Sequence, residues 1–409
     1  MKPALTVGIL TAAPSGARAF RFGGRYRRLA RHGLQENVFV YAALPEWIDV
    51  DRRTYQAVPL FLDGDPKRVT LSAFDVIYNR LPTPELEAKH RRLLAELSAL
   101  TGGAVFNPRF IDKWTQYVLF APLRPRLRLP HTERLTAPED VRRWIGGPFY
   151  VKPVSGRMGD GVAFVREDGG TFWVVGTKTR RRYADAGALA QALFQEARRR
   201  PMLLQRAVRR AFLEGAAVDL RVLVQKRSGG IFRLTGIGAR VGRPGAPTTH
   251  VPRGGRIAPV RSLLETLFSP AEAARIVERT RFQALIAAEA LDRTFGLRLG
   301  ELSFDFALAE DGEPWLLEAN AKPMAFDETA IERRWRSAFF DTVRHFAAAG
   351  RAHRPGGGPR GPGGGGPRAS AGSGRRPNGA EADAAAGGDG RPPEGPVKTV
   401  PPGEGEARS

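Results

Sequence analysis

The chain has 409 residues, 64 Lys and Arg against 42 Asp and Glu, a formal net charge of +22 and no cysteine. The length accommodates two or three domains, and the missing cysteine excludes a disulfide framework, a thiolate metal site and a Cys nucleophile. The six His never stand four apart, no apolar run reaches the roughly 18 residues of a bilayer span, and the first eight residues lack an apolar core, so neither a helical His-pair metal site nor a membrane helix nor a signal peptide is expected.

Residues 5–10 read as a strand ending in small residues, 26–32 as a helix closed by Gly33, and 38–42 as a second strand. A third strand at 75–78 runs into Asn79–Pro82, and 85–100 has helical apolar spacing up to Gly102-Gly103. Strands alternating with helices predict a small parallel sheet over residues 1–106. A short helix follows at 110–120. Strands at 149–153, 161–165 and 172–175 are joined by Gly-rich turns, and 186–199 reads as a helix. The apolar run 202–205 is too short for a helix. Residues 220–225 and 231–239 form a hairpin around Ser228-Gly229-Gly230, 270–295 is one long amphipathic helix, and 299–309 and 314–319 are strands around Asp311-Gly312. From 347 to 409 there is no aromatic residue, and 27 of the 59 residues from Arg351 onward are Gly or Pro, the composition of a disordered tail.

Only nine of the 64 basic residues are Lys. Arg is spread along the whole chain without an RNA-binding or helix-turn-helix pattern, so the charge reads as composition and no specific nucleic-acid partner is expected. It also makes each Lys worth locating. Lys113, Lys152 and Lys322 fall inside the densest motifs.

The segment 300–323 reads GELSFDFALAEDGEPWLLEANAKP. A two-residue turn at Asp311-Gly312 sets Asp305 opposite Glu318 and Ser303 opposite Asn320, all on one face by the period of two. Leu302, Phe304, Phe306, Leu317 and Ala319 take the other face. Two facing carboxylates repel unless a cation lies between them. A hard cation such as Mg²⁺ held by Asp305, Glu318 and Asn320 is one reading, and a solvated polar face neutralised by a neighbouring Arg is the other. A three-residue turn would shift this register. Upstream, 150–162 reads YVKPVSGRMGDGV, with Lys152 on a strand and Ser155, Gly156, Gly159 and Gly161 in the loop. Glycines let backbone N–H groups approach phosphate oxygens, but strand flanks on both sides exclude a Walker A loop.

The order of these pieces resembles the ATP-grasp superfamily. Lys152 precedes a Gly-rich hairpin; then come a short apolar run ending at Gln205, Asp219-Leu220-Arg221, and Asp305 thirteen residues before Glu318-Ala319-Asn320. VGIL near the start, VIYNRLP at 76–82, FNPRFIDKW at 106–114 and LPHT at 129–132 narrow the resemblance to the YheC/YheD family, described as endospore coat-associated. The resemblance implies an α/β and α+β architecture. A small parallel pre-ATP-grasp domain (1–106) would precede an ATP-grasp fold (107–346) whose two α+β subdomains grip the nucleotide, with the disordered tail (347–409) outside it. It further implies that Lys113 and Lys152 contact the ATP phosphates and that Ser155, Gly156, Gly159 and Gly161 close over them. Gln205, Arg206, Ala207 and Val208 would lie along adenine through backbone groups. Asp305, Glu318 and Asn320 would hold Mg²⁺, with Mn²⁺ as a substitute. Arg221 and Arg253 would stabilise a transferring phosphate or an acyl-phosphate intermediate, and Lys322 is a further phosphate or substrate contact. Relatives often carry Asn before the RGG-type turn, where the neighbouring position here is His250, a departure near Arg253.

The activity implied is that of a cytoplasmic carboxylate-amine ligase acting through an acyl phosphate. The alternative is a structural spore-coat protein that binds nucleotide without turnover. The acceptor pocket is expected near Asn79, Arg80, Arg253 and Arg256, whose charge favours an acidic substrate.

Overall fold

The computed structural model describes residues 4–353 apart from 14–22, 65, 157–158, 247, 250 and 252–253. Arg253, His250 and the expected tail beyond residue 353 lie outside the described residues.

Nineteen strands of the described chain form three sheets in succession. The first holds β1 (Leu5–Leu10), β2 (Val38–Ala43), β3 (Ile48–Asp49), β4 (Thr54–Pro59), β5 (Val69–Leu71), β6 (Val76–Asn79) and β7 (Val105–Phe106). Their order is β3-β4-β2-β1-β6-β7, with β5 on β4. β1, β2, β6 and β7 run parallel, as the alternation of strand and helix implies. The antiparallel extension β3–β5 was not foreseen. β4 does alternate, with Tyr55, Ala57 and Pro59 inward, but polar residues flank it on both sides and hide the pattern. β1 has both faces covered, which is why LTVGIL is apolar nearly throughout. It lies between β2 and β6, so the strand order reverses there and opens a crevice at the carboxyl ends of β1 and β6.

The helix α1 (Gly24–Gln35) runs through Gly33 instead of stopping at it, and the turn out comes at Asn37 with φ 54°. Gly33 serves close packing: a Cβ there would lie 2.5 Å from the Val38 carbonyl oxygen and 3.2 Å from the Phe340 ring. Gly33→Ala is therefore expected to lower stability by about 1–3 kcal/mol despite alanine's better helix propensity. A lower urea midpoint at unchanged slope measures it. The helix expected over 85–100 is two helices, α2 (Pro84–Lys89) and α3 (Arg91–Leu100), broken at His90.

After α4 (Lys113–Phe120), the second sheet comprises β8 (Thr132–Leu135), β9 (Phe149–Pro153), β10 (Ala163–Asp168), β11 (Thr171–Gly176), β12 (Arg180–Tyr183) and β13 (Met202–Arg206), in the order β12-β11-β10-β9-β13-β8. α5 (Pro138–Trp144) and α6 (Ala186–Arg199) cover one face through Val141, Trp144, Leu189 and Leu193. α6 starts where the sequence places it, because Asp185 accepts from the Ala188 N–H as its cap. β12 was missed: three consecutive exposed Arg give no alternation.

The third sheet holds β14 (Phe212–Leu213), β15 (Ala216–Lys226), β16 (Phe232–Val241), β17 (Arg256–Ala258), β18 (Glu301–Leu308) and β19 (Pro314–Asn320), ordered β17-β16-β15-β18-β19 with β14 on β15. α7 (Val260–Leu267) and α8 (Pro270–Thr294) share its apolar core. The last helix, α9 (Thr329–His353), joins Trp335, Phe339, Phe340, Val343, Phe346 and Ala347 to the core of the first sheet and to Leu223 of β15. It corrects the expected tail boundary, since residues 347–353 are helical and Ala347 and Gly350 are buried. Among the described residues no helix is long and apolar enough to cross a membrane.

Candidate functional site

The β18–β19 hairpin carries the facing carboxylates, though not by the turn first expected. The Ala309 N–H donates to the Glu313 carbonyl and the Gly312 N–H to that of Ala309, so the loop holds three residues, Glu310, Asp311 and Gly312. Continued along the strands, that loop would set Asp305 against Leu317. A β-bulge corrects it: Phe306 opposes Leu316, whereas Asp305 opposes Glu318 and Ser303 opposes Asn320. Leu317 is the extra residue. Leu316 takes the core position, Leu317 borders the cavity, and its carbonyl oxygen lies 3.5 Å from Lys152 Nζ. The bulge thus restores the expected pairing and gives the site a backbone acceptor.

A cavity of about 560 Å³ lies between this hairpin, the second sheet and the loop after β6. On one wall, Lys113 opens α4, which Asp112 caps. Lys113 Nζ lies 3.5 Å from Glu318 Oε1 and donates to the Gly156 carbonyl at 3.0 Å. Lys152, on β9, is buried and donates to Gln205 Oε1 at 2.9 Å. Burial pushes its ammonium down to about 7, the Lys113 charge adds to the shift, and Glu318 opposes it. Gly156 and Gly159 border the cavity, and Ser155 beside them is exposed. Gly161 has φ 68°, and a Cβ there would run into the Arg200 guanidinium.

On the hairpin itself, Asn320 Nδ2 donates to Asp305 Oδ2 at 3.2 Å. Arg221 opposes Asp305 across β15–β18, with Nε 4.0 Å from Oδ1 and its guanidinium 5.1 Å from the Phe326 ring centre. Arg221 Nε is buried without a hydrogen-bond partner. Ser303 faces Asn320 as expected but lies fully buried beyond the cavity, its Oγ also unpartnered.

Asp305, Glu318 and the Asn320 amide oxygen fit a hard divalent cation. The two carboxylates face each other in register, and Mg²⁺ commonly takes one or two carboxylates with substrate phosphates completing its shell. Among the described residues no group of three or more His, Cys, Asp and Glu gathers, so phosphate oxygens would have to supply ligands that the chain does not.

Several expected contacts are placed differently. The N–H groups of Arg206 and Ala207 already donate to His131 and Pro148 carbonyls. The Arg206 guanidinium turns to the Trp144 carbonyl at 2.7 Å and covers that ring at 4.6 Å. Of residues 205–208, Gln205, Arg206 and Val208 border the cavity, and Gln205 is itself held by Lys152 and Thr132. Lys322 is buried in an ion pair with Glu87 and donates to the Leu81 carbonyl at 3.1 Å, which occupies it structurally at the cavity rim. Asn79 turns inward, donating to Glu87 and the Pro108 carbonyl, while Arg80 borders the cavity. Arg256 is exposed and pairs with Glu214.

Arg210 and Arg240 also border the cavity and were missed. Arg210 Nη1 pairs with Asp219 at 2.9 Å, and Arg240 binds both Glu328 oxygens. Extending the 220–239 hairpin by one pleat puts Arg240 opposite Asp219, so that position was accessible. Arg210 stands at an isolated bridge with no periodic signal.

A family model described as YheC/D like ATP-grasp matches residues 102–348. The endospore coat-associated protein YheD of Bacillus subtilis is 28% identical over 264 residues, 61% of this chain and 56% of that protein, so the chain spans little more than half of that curated relative's length. Among solved structures, D-alanyl-alanine synthetase A from Vibrio cholerae aligns with a TM-score of 0.47 at 13% identity, covering 84% of this chain and 98% of that one. A RimK domain protein ATP-grasp from Sphaerobacter thermophilus aligns with a TM-score of 0.43 at 17% identity, with the same coverages of 84% and 98%.

Proposed function

This chain belongs to the YheC/D-like ATP-grasp family, and we propose that it is a cytoplasmic, Mg-ATP-dependent carboxylate-amine ligase working through an acyl phosphate. The observation that carries the reading is that one cavity gathers Lys113 and Lys152 with Asp305, Glu318 and Asn320. In this reading residues 107–346 grip the nucleotide and residues 1–106 shape the acceptor side.

Lys113 and Lys152 would hold the phosphate oxygens, and Gly156, Gly159 and Gly161 would cover them. Gln205 orients the Lys152 ammonium, and Val208 borders the adenine side. Asp305, Glu318 and Asn320 would hold Mg²⁺, which supplies Lewis-acid charge for phosphoryl transfer. Arg221 would meet the reacting phosphate; Arg253 would share that role. A substrate carboxylate oxygen attacks the γ-phosphorus, the bond to the β–γ bridging oxygen breaks, and ADP leaves. An amine then attacks the acyl carbon and inorganic phosphate departs. The chain's contribution is positioning, charge and exclusion of water.

The test is a thermal-shift titration with ATP, with and without Mg²⁺, followed by ADP release over a panel of acids and amines. A ligand at 100 times its Kd adds about 2.7 kcal/mol of stability, so a clear Mg²⁺-dependent rise is expected. A well-folded protein with no shift at millimolar Mg-ATP would overturn the reading. The name of the relative YheD favours a second one, a spore-coat role with nucleotide binding only. That reading expects the shift and no ADP release with any acid and amine.

A further inference from the structure

We infer that the acid activated here carries a second anionic group and that Arg80 holds it, an inference that rests on the ligase reading above. Among the described residues, two cavity-bordering arginines have a buried donor without a hydrogen-bond partner, Arg80 at Nη1 and Arg221 at Nε. Arg221 opposes Asp305 across the strands. Buried donors left unpaired cost free energy, so they point to a ligand that pairs them.

Arg80 comes from a separate sheet. It follows the carboxyl end of β6, and its N–H donates to the Leu10 carbonyl at the end of β1 at 2.7 Å. That is the reversal point of the parallel strands, where open α/β sheets present their ligand crevice. The guanidinium lies between two tyrosines before any ligand arrives, beside Tyr26 and 5.5 Å from the Tyr78 ring centre. Its loop is fixed. Asn79 Oδ1 accepts from the Leu81 N–H, and Lys322 ties the Leu81 carbonyl to Glu87.

The other arginines of this region are already engaged. Arg240 is held by Glu328, with Asp327 3.6 Å away, and Arg210 by Asp219. Arg221 lies beside Asp305, where the reacting phosphate would be. The carboxylate nearest Arg80 in charge, Glu301, has both oxygens taken by Tyr78 and Trp335, so Arg80 Nη1 stays available to a carboxylate or phosphate on the far end of the substrate.

The test compares glutarate, adipate and pimelate with their mono-amides, and 4-phosphonobutyrate with glutarate. The readout is the thermal shift of the full chain, with and without Mg-ATP. Wild type is expected to respond to at least one diacid at a concentration about tenfold or more below its mono-amide. Arg80→Gln should erase that preference and keep the Mg-ATP shift. Arg80→Lys should keep part of it, and Arg256→Gln, off the cavity, all of it. A stronger response to the phosphonate supports a phosphate-bearing acid; a stronger response to glutarate supports a dicarboxylic one. Equal responses to diacid and mono-amide in wild type, or a preference that survives Arg80→Gln, would overturn the inference. Loss of the Mg-ATP shift in wild type would instead sink the ligase reading, and the nucleotide-free comparison would still decide Arg80.

Discussion

Glu318→Gln should lose ADP release by roughly 10²–10³-fold, the order seen when one preorganised charge is removed from a transition state. The substitution keeps volume and strand propensity and removes one of the two facing carboxylates. Glu318 lies on the cavity face of β19 with its side chain about a quarter exposed, and its contact with Lys113 is a 3.5 Å ion pair. A partly solvated pair of that length contributes about 0–1 kcal/mol, so the melting temperature without ligand should stay close to wild type. Lys113 keeps its bond to the Gly156 carbonyl and remains available to phosphate. The variant should therefore still bind ATP while the increment added by Mg²⁺ disappears. Asp305→Asn should behave alike, although it also removes the charge beside Arg221. Near-normal turnover in Glu318→Gln would remove the cation assignment from this hairpin.

The facing pair was legible because a β-strand's period of two is rigid, and any register that opposes Asp305 to Glu318 also opposes Ser303 to Asn320. The route to that register was not legible. Asp311-Gly312 suits two-residue and three-residue loops, and a bulge leaves no mark in a sequence where Leu316 and Leu317 are both apolar and either can face the core. Two compensating departures reproduced the expected pairing. Gly33 failed for the opposite reason: a glycine needed for close packing looks like one that ends a helix.

Lys322 and Lys152 show what sequence position does not carry. Both are scarce lysines in dense motifs. Lys322 is spent on Glu87, an acid 235 residues away whose role no local pattern announces. Lys152 has no carboxylate in hydrogen-bond contact: its Nζ donates to the neutral Gln205 and lies by a carbonyl, and Glu318 acts on it only through space. The difference comes from tertiary pairing, which also clamps the loop that presents Arg80.

Lys152 has a pH signature with a definite sign. Burial holds it near 7 in the folded chain, against about 10.5 for an unfolded lysine. Between those values the unfolded chain binds the extra proton, so this group's contribution to stability rises with pH from about 7 to about 10.5. Below pH 7 the folded chain carries the buried charge at a cost of about 4–5 kcal/mol. Lys152→Met should remove that cost and leave Gln205 Oε1 without a donor, which costs about 1–3 kcal/mol. The variant is expected to melt above wild type at pH 6, with the two curves crossing between about pH 8 and about pH 10 and wild type the more stable above that. Nucleotide reverses the balance. A triphosphate beside Lys152 favours the ammonium, so ATP binding above pH 7 should take up close to one proton and weaken by up to tenfold per pH unit. Calorimetry in two buffers of different ionisation enthalpy measures that uptake directly. In Lys152→Met the uptake should vanish and affinity fall by about 10–100-fold, the worth of one or two charge-assisted bonds. A variant that is more stable without ligand and weaker with it would show that the burial of Lys152 destabilises the empty site and strengthens the filled one. Unchanged affinity and proton uptake would place the phosphates away from Lys152.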